Sequence, residues 1–173
     1  MTTEEKSALD HMVAAYEKML ERVHGMVNQA ESSVPALKHN LEQAREKAVE
    51  LGELTREEAE KVSTYIERDI HDAAAYISDT GQQLRDWWKF DLKQMEERMM
   101  ELFAGVADQT SIQLREMAET LRRAEIYRTG EVTGPGTLVC TECGKEIHFK
   151  KPGHIPPCTG CKGTEFRRQL AEE

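Results

Sequence analysis

Cys140-Thr141-Glu142-Cys143 and Cys158-Thr159-Gly160-Cys161 hold all four cysteines of the chain in a C-x2-C, x14, C-x2-C pattern. That spacing fits one tetrahedral zinc ion bound by Cys140, Cys143, Cys158 and Cys161, because a C-x2-C turn aims two thiolates at one metal about 2.3 Å away. Gly144-Lys145 follows the first pair and Lys162-Gly163 the second, so each turn has a glycine available for positive φ. The flanking segments Leu138-Val139, Glu146 to Lys150 and Glu165 to Arg168 are short and strand-like, which predicts a zinc ribbon of about three strands. A unit this small buries too little apolar surface to fold unaided, so the metal is expected to act as its local core.

Other uses of four thiols fit less well. The chain opens Met1-Thr2-Thr3-Glu4-Glu5 with no signal peptide, which points to a reducing cytoplasm and away from disulfides. A thioredoxin-like C-x-x-C would open a helix in an α/β unit, and none is visible. Catalytic zinc keeps a water ligand, whereas four cysteines close the sphere, so one structural zinc is expected. His148 and His154 lie between the pairs and read as surface histidines.

Outward from the cysteines the chain changes character. It is 32% charged and 6% aromatic, with a mean hydropathy of -0.65, a composition of long amphipathic helices and not of a thick globular core. No apolar run approaches the ~18 residues of a membrane span. Residues 1–127 carry 16 Lys+Arg against 26 Asp+Glu, and 128–173 carry 7 against 6. Within 137–168, Lys145, Lys150, Lys151, Lys162, Arg167 and Arg168 face Glu142, Glu146 and Glu165; four thiolates and a zinc ion leave that unit near about +1. The acidic body would repel a phosphate backbone, confining any nucleic-acid contact to the ribbon.

Leu9, Val13, Tyr16, Leu20, Val23, Val27, Ala30, Val34, Leu37, Leu41, Ala44, Ala48 and Leu51 repeat at 4,3 spacing without a phase error, a heptad seam. Pro35 interrupts it, so a kink or a short break is expected there, and the unbroken phase favours one kinked helix over two unrelated ones. Gly52 then reads as a helix stop, and Thr55 with Glu58 as a capping box. From Ala59 the spacing becomes 3,4,4 through Val62, Ile66, Ile70, Ala73, Ile77, Gly81, Leu84, Trp88 and onward to Leu121, an 11-residue repeat with a nearly straight seam. Gly81 and Thr110 are its weak points, and a bend near Gly105 to Thr110 stays open. An unbroken helix over 55–124 would span roughly 105 Å against about 70 Å for 5–51, so the longer one should fold back or pair with another chain.

Glu21-Arg22-Val23-His24 is an E-x-x-H, but di-iron bundles need two such motifs and further glutamates. Trp88 and the methionines Met95, Met99, Met100 and Met117, mostly stripe residues, read as core, and Trp87 as one step around the helix. No H-E-x-x-H, phosphate-binding glycine loop or nucleophile elbow occurs, which disfavours an enzyme. The acidic tip Glu50, Glu53, Glu57 and Glu58 beside a zinc module has the form of factors that insert a coiled-coil finger into RNA polymerase.

The turn Gly52-Glu53-Leu54-Thr55-Arg56, the stretch Tyr127-Arg128-Thr129-Gly130-Glu131-Val132 and Leu138-Val139-Cys140 with its two cysteine pairs resemble the bacterial zinc-ribbon-containing YbeL-like family. The resemblance implies helices followed by a C-terminal ribbon in a bacterial cytoplasm, with Cys140, Cys143, Cys158 and Cys161 as zinc ligands, and it implies no reaction. The expected fold is mainly α: a long antiparallel hairpin or three-helix bundle over 1–127, a Gly-rich linker over 128–136, and a small β zinc ribbon over 137–173. The expected function is a cytoplasmic, non-enzymatic adaptor or regulator that contacts a protein or ribonucleoprotein partner. A thiol-based redox or zinc sensor and a self-associating structural protein are the alternatives.

Overall fold

A computed structural model describes residues 3–29, 37–80, 101–102, 105–107 and 126–169. Among the described residues, three helices, α1 (Thr3–Gln29), α2 (Leu37–Glu50) and α3 (Arg56–Thr80), precede six short strands. Arg22 lies 2.6 Å from Glu53, 31 residues further on. A continuous helix would separate them by about 46 Å, so α2 returns alongside α1 and the kinked continuation favoured by the unbroken phase is not what forms. The heptad phase survives the reversal because both helices present the same period to a shared core.

The junction between α2 and α3 forms as its residues dictate. Gly52 takes φ 67°, its N–H donates to Val49 O and that of Glu53 to Ala48 O, the pair of bonds that defines a Schellman stop. Thr55 then caps α3: its Oγ1 accepts from Glu58 N at 3.2 Å, and Glu58 Oε2 accepts from Thr55 N at 2.9 Å.

Most members of both sequence stripes are buried where the structure describes them, with Val13 half-buried and Leu51 exposed. Tyr16, Leu20 and Val23 of α1, Leu41, Ala44 and Ala48 of α2, and Ala59, Val62, Ile66, Ile70 and Ala73 of α3 form one apolar cluster, joined by Leu102, Val106, Ala107 and Val132. Leu51, the last member of the first stripe, is 55% exposed in the turn. The expectations for Pro35, Gly81, Trp87, Trp88, Met95, Met99, Met100, Thr110 and Met117, and for one helix or two over 55–124, lie outside the described residues. No helix among the described residues is long and apolar enough to cross a membrane.

The strands are β1 (Tyr127–Arg128), β2 (Val132–Thr133), β3 (Gly136–Cys140), β4 (Glu146–Phe149), β5 (Gly153–His154) and β6 (Glu165–Arg168). They form an antiparallel sheet ordered β1-β6-β3-β4 and a separate β2-β5 pair. The three strand-like segments of the sequence are β3, β4 and β6; β1 extends their sheet by pairing Tyr127 with Phe166. Tyr127, Leu138, Cys140, Ile155, Cys158 and Phe166 make the second, smaller core.

Residues 128–136 are not a free spacer. They contain β2, which pairs with β5, residues 132–136 are buried, and the Gly134 N–H donates to Asp69 of α3 at 2.5 Å. Their glycines looked like linker composition, but a buried carboxylate and pairings with β6, β5 and β4 hold this stretch between helix and ribbon.

Candidate metal centre

β3 ends at Cys140 and β6 begins at Glu165, and the two cysteine turns hang from these ends like matched hooks. In the first, Cys140 N donates to Lys145 O and Gly144 N to Cys140 O; in the second, Cys158 N donates to Gly163 O and Lys162 N to Cys158 O. The same two bonds thus fold both turns. The position after the second cysteine is left-handed in each, with φ 72° at Gly144 and 66° at Lys162. The second turn therefore places a lysine, not its glycine, in the left-handed region. Gly163 sits in a tight place for another reason: a Cβ there would displace the exposed Glu142 carboxylate, whose Oε1 lies at 2.7 Å, and would crowd Cys161 Sγ at 3.1 Å.

The hooks bring all four sulfurs within 4.8 Å of one another. Two close separations cross between the turns, 3.5 Å for Cys140–Cys161 and 3.5 Å for Cys143–Cys158. A tetrahedron of sulfurs about 2.3 Å from a central ion has edges of about 3.8 Å, so the donor set fits zinc in size and in softness. All four are free cysteines. Cys140 and Cys158 are buried, whereas Cys143 and Cys161 reach the surface.

Backbone dipoles prepare the cluster for charge. Gly160 N and Gly163 N approach Cys158 and Cys161 Sγ at 3.4 Å each. N–H groups of Cys161 and Gly160 pull the Cys158 thiol down to about 6. The Gly163 N–H acts the same way on Cys161, but the neighbouring thiol of Cys143, burial, and the thiols of Cys140 and Cys158 together push Cys161 up to about 12. Four adjacent sulfurs cannot all ionise on their own account; a divalent cation would let them, and zinc bound by these four would supply charge neutralisation and cross-linking with no ligand position left over.

Among the described residues this is the single group of three or more metal-ligating side chains. His148 and His154 stand apart from it: His148 Nδ1 lies 2.9 Å from Thr137 Oγ1, and His154 Nδ1 lies 3.2 Å from Gly130 O. His24 of the E-x-x-H packs where a Cβ on Gly105 would come within 2.8 Å of its Nε2. The acidic tip is engaged internally, with Glu50 on Lys47, Glu53 on Arg22 and Glu57 on Lys61, and Glu58 in the helix cap.

The description of the family that matches residues 24–170 is "Zinc-ribbon containing domain". The chain belongs to that family. It is also 27% identical over 157 residues to a protein of Escherichia coli K12 named "Uncharacterized protein YbeL", covering 91% of this chain and 95% of the relative. The O157:H7 and O6:H1 counterparts match to the same extent. No solved structure matches. The zinc-ribbon containing domain, as matched, spans α2, α3 and the ribbon together, so the helices belong to the family unit as much as the cysteines do.

A second set of residues binds these parts, and sequence reasoning passed over it. Asp69 on α3 and Arg168 on β6 are both buried and meet at 2.9 Å. Tyr16 OH of α1 donates to Asp69 at 2.8 Å. Arg168 also donates to Thr133 Oγ1 at 2.7 Å, Pro135 O at 2.8 Å and Tyr127 OH at 2.9 Å. Tyr127 OH in turn donates to Asp72, while the Arg68 guanidinium lies 3.7 Å from the centroid of the Tyr127 ring and Arg68 Nη1 bonds Glu131 at 2.5 Å. Burial pushes Asp72 up, against the pull of Arg168 and Tyr127, and burial raises both Tyr16 and Tyr127 well above the usual phenol value. Arg168, which entered the ribbon's charge tally, is an internal cation.

Proposed function

We propose that this protein is a cytoplasmic, non-enzymatic adaptor in which a mainly α body, packed as a helical bundle, carries a ribbon with one structural zinc and presents it to a protein or ribonucleoprotein partner. The observation that carries this reading is the closed four-thiol site at the exposed end of a ribbon whose other side is fastened to α3. Four cysteine donors leave no position for a substrate. A surface groove of about 450 Å³ lies among Arg45, Glu46, Val49, Glu50, Arg56 and Glu60, away from the cysteines.

The ribbon offers a compact contact surface. Thr141, Glu142, Thr159 and Gly160 at the turns are exposed, as are Lys145, Lys150, Lys151, Lys162 and Arg167. With the body acidic, phosphate contacts would fall on these five cations and not on the helices. Because 128–136 is fastened and not free, a partner touching both parts meets them in one fixed arrangement, which favours shape recognition over tethered capture.

The test is crosslinked affinity capture from native cells, comparing wild type with Cys140→Ser/Cys158→Ser and identifying protein and RNA. One defined complex that is lost in the variant is the expected result. Identical captures from both proteins, or recovery of the chain alone, would end the adaptor reading.

A further inference from the structure

Asp69 has no exposed surface, and what satisfies it comes mostly from the far end of the chain. Tyr16 OH is its hydrogen-bond donor from the helices; Gly134 N, Thr133 Oγ1 and Arg168 Nη2 are the others. Its close cation is Arg168 at 2.9 Å, with Arg68 Nε further off at 3.6 Å.

The place of Arg168 is set by the cysteine hooks. β6 follows directly from the second hook, and Thr141 of the first hook donates its N–H to Glu165 O at 3.1 Å. Register then carries the constraint along the strand: Cys140 lies opposite Phe166 and Leu138 opposite Arg168. A strand fastened at its start by both hooks delivers Arg168 to Asp69; a strand released from them does not. A buried carboxylate that loses its ion pair and its donors is strongly unfavourable, so α3 would have to open to hydrate Asp69.

We propose that metal occupancy of the four cysteines is coupled to the packing of α3 on α1, with the Asp69–Arg168 pair as the coupling element. The ribbon then reports its metal state to the helical body, and the body's surface near Tyr16 and Asp69 differs between the loaded and stripped protein. Coupling of this kind is reciprocal: whatever holds Arg168 on Asp69 also tightens the metal site. The inference rests on zinc occupying the thiols and is independent of the adaptor reading.

The full-length protein is loaded with zinc, its metal content is read by native mass spectrometry, and hydrogen exchange is followed before and after stripping with EDTA. Stripping should speed exchange at least about tenfold in residues 66–72 and 13–20 as well as in the ribbon, and zinc should restore it. In Asp69→Asn/Arg168→Met, which keeps an acceptor for Tyr16 and Gly134 but removes both charges, the helical response should vanish. Asp69→Asn alone should weaken zinc in competition with a chromogenic chelator by roughly 5- to 150-fold, while Thr55→Ala, a helix-cap change remote from the pair, should leave that affinity unchanged. A zinc-loaded protein whose helices ignore stripping, a double variant that responds like wild type, an unchanged affinity in Asp69→Asn, or an equal loss in Thr55→Ala would each overturn the inference. A chain that takes up no zinc would overturn it at its premise, which the metal content shows separately.

Discussion

The cysteine hooks and the Asp69–Arg168 junction solve the same problem, fixing parts that have too little apolar surface to fix themselves, by opposite means. The hooks are local: two four-residue turns with repeated backbone bonds bring four sulfurs within 4.8 Å of one another, a donor set that fits one ion. The junction is distant: its two charges are 99 residues apart and depend on a finished fold to meet. A local device can be built from a short motif and an external ion. A distant one costs about several kcal/mol of desolvation per charge unless every partner arrives, and so it specifies the arrangement of the parts more than it stabilises them.

Removing the ion tests the first device and should have the largest effect. Structural zinc sites contribute about 10–16 kcal/mol of apparent binding energy at neutral pH, and residues 126–169 are close to the ~40-residue size below which a domain needs such help. Cys140→Ser/Cys158→Ser should therefore lose the dispersed amide spectrum of the ribbon strands. Retention of that dispersion without metal would mean that the small core around Phe166 is sufficient alone.

Breaking the junction should come second. Arg168→Met leaves Asp69 buried without its close cation, a change of about 3–5 kcal/mol in denaturant unfolding. Adding Asp69→Asn should recover a large part of it. A single variant within about 1 kcal/mol of wild type would show that Arg68, at 3.6 Å, serves Asp69 as well as Arg168 does.

These two devices also differ in how they read from sequence. Cys140, Cys143, Cys158 and Cys161 announce a site because thiols in pairs have few other uses in such a chain. The helical stripes were equally legible, since burial follows period: Ile66, Ile70 and Ala73 are all fully buried. Asp69 was hidden in plain view. It is three residues after Ile66 and four before Ala73, on the same face as the stripe, and Arg168 alternates with Phe166 onto the buried face of β6. An acid and a base placed at core positions of separate elements were the available signal, and among 55 charged residues nothing else marked them out. The return of α2 alongside α1 was illegible for a different reason, because a heptad phase continues equally well through a kink or across a hairpin.

A third, smaller effect sharpens the contrast between local and distant fastening. Thr55→Ala removes the hydroxyl that caps α3 and should cost about 0.5–2 kcal/mol, with ribbon and junction untouched. Chemical denaturation with far-ultraviolet dichroism would measure it. A loss as large as that of Arg168→Met would put the weight of the helical body at its tip and not at the junction.

Asp72 offers the smallest effect and the opposite sign. Burial raises its folded pKa above the unfolded value, opposed by Arg168 and the Tyr127 hydroxyl. Its folded form therefore holds a proton more tightly than its unfolded form, so the stability it contributes is fully present below the unfolded pKa and fades as pH rises through the folded one. Glu58 behaves in reverse: the Thr55 N–H and hydroxyl lower its folded pKa, and its contribution fades as pH falls through that lowered value. Asp72→Asn keeps an acceptor for Tyr127 while Arg168 retains Asp69 at 2.9 Å. The variant should thus gain on wild type as pH climbs from the acid limb, whereas Glu58→Gln should lose on wild type over the same climb. Paired unfolding curves across pH 3 to 7 would separate them. If Asp72→Asn instead lost ground with rising pH, the Asp72 carboxylate, 3.5 Å from Arg168 Nε, would outweigh its burial as a stabilising partner of Arg168, and the junction would draw on both acids.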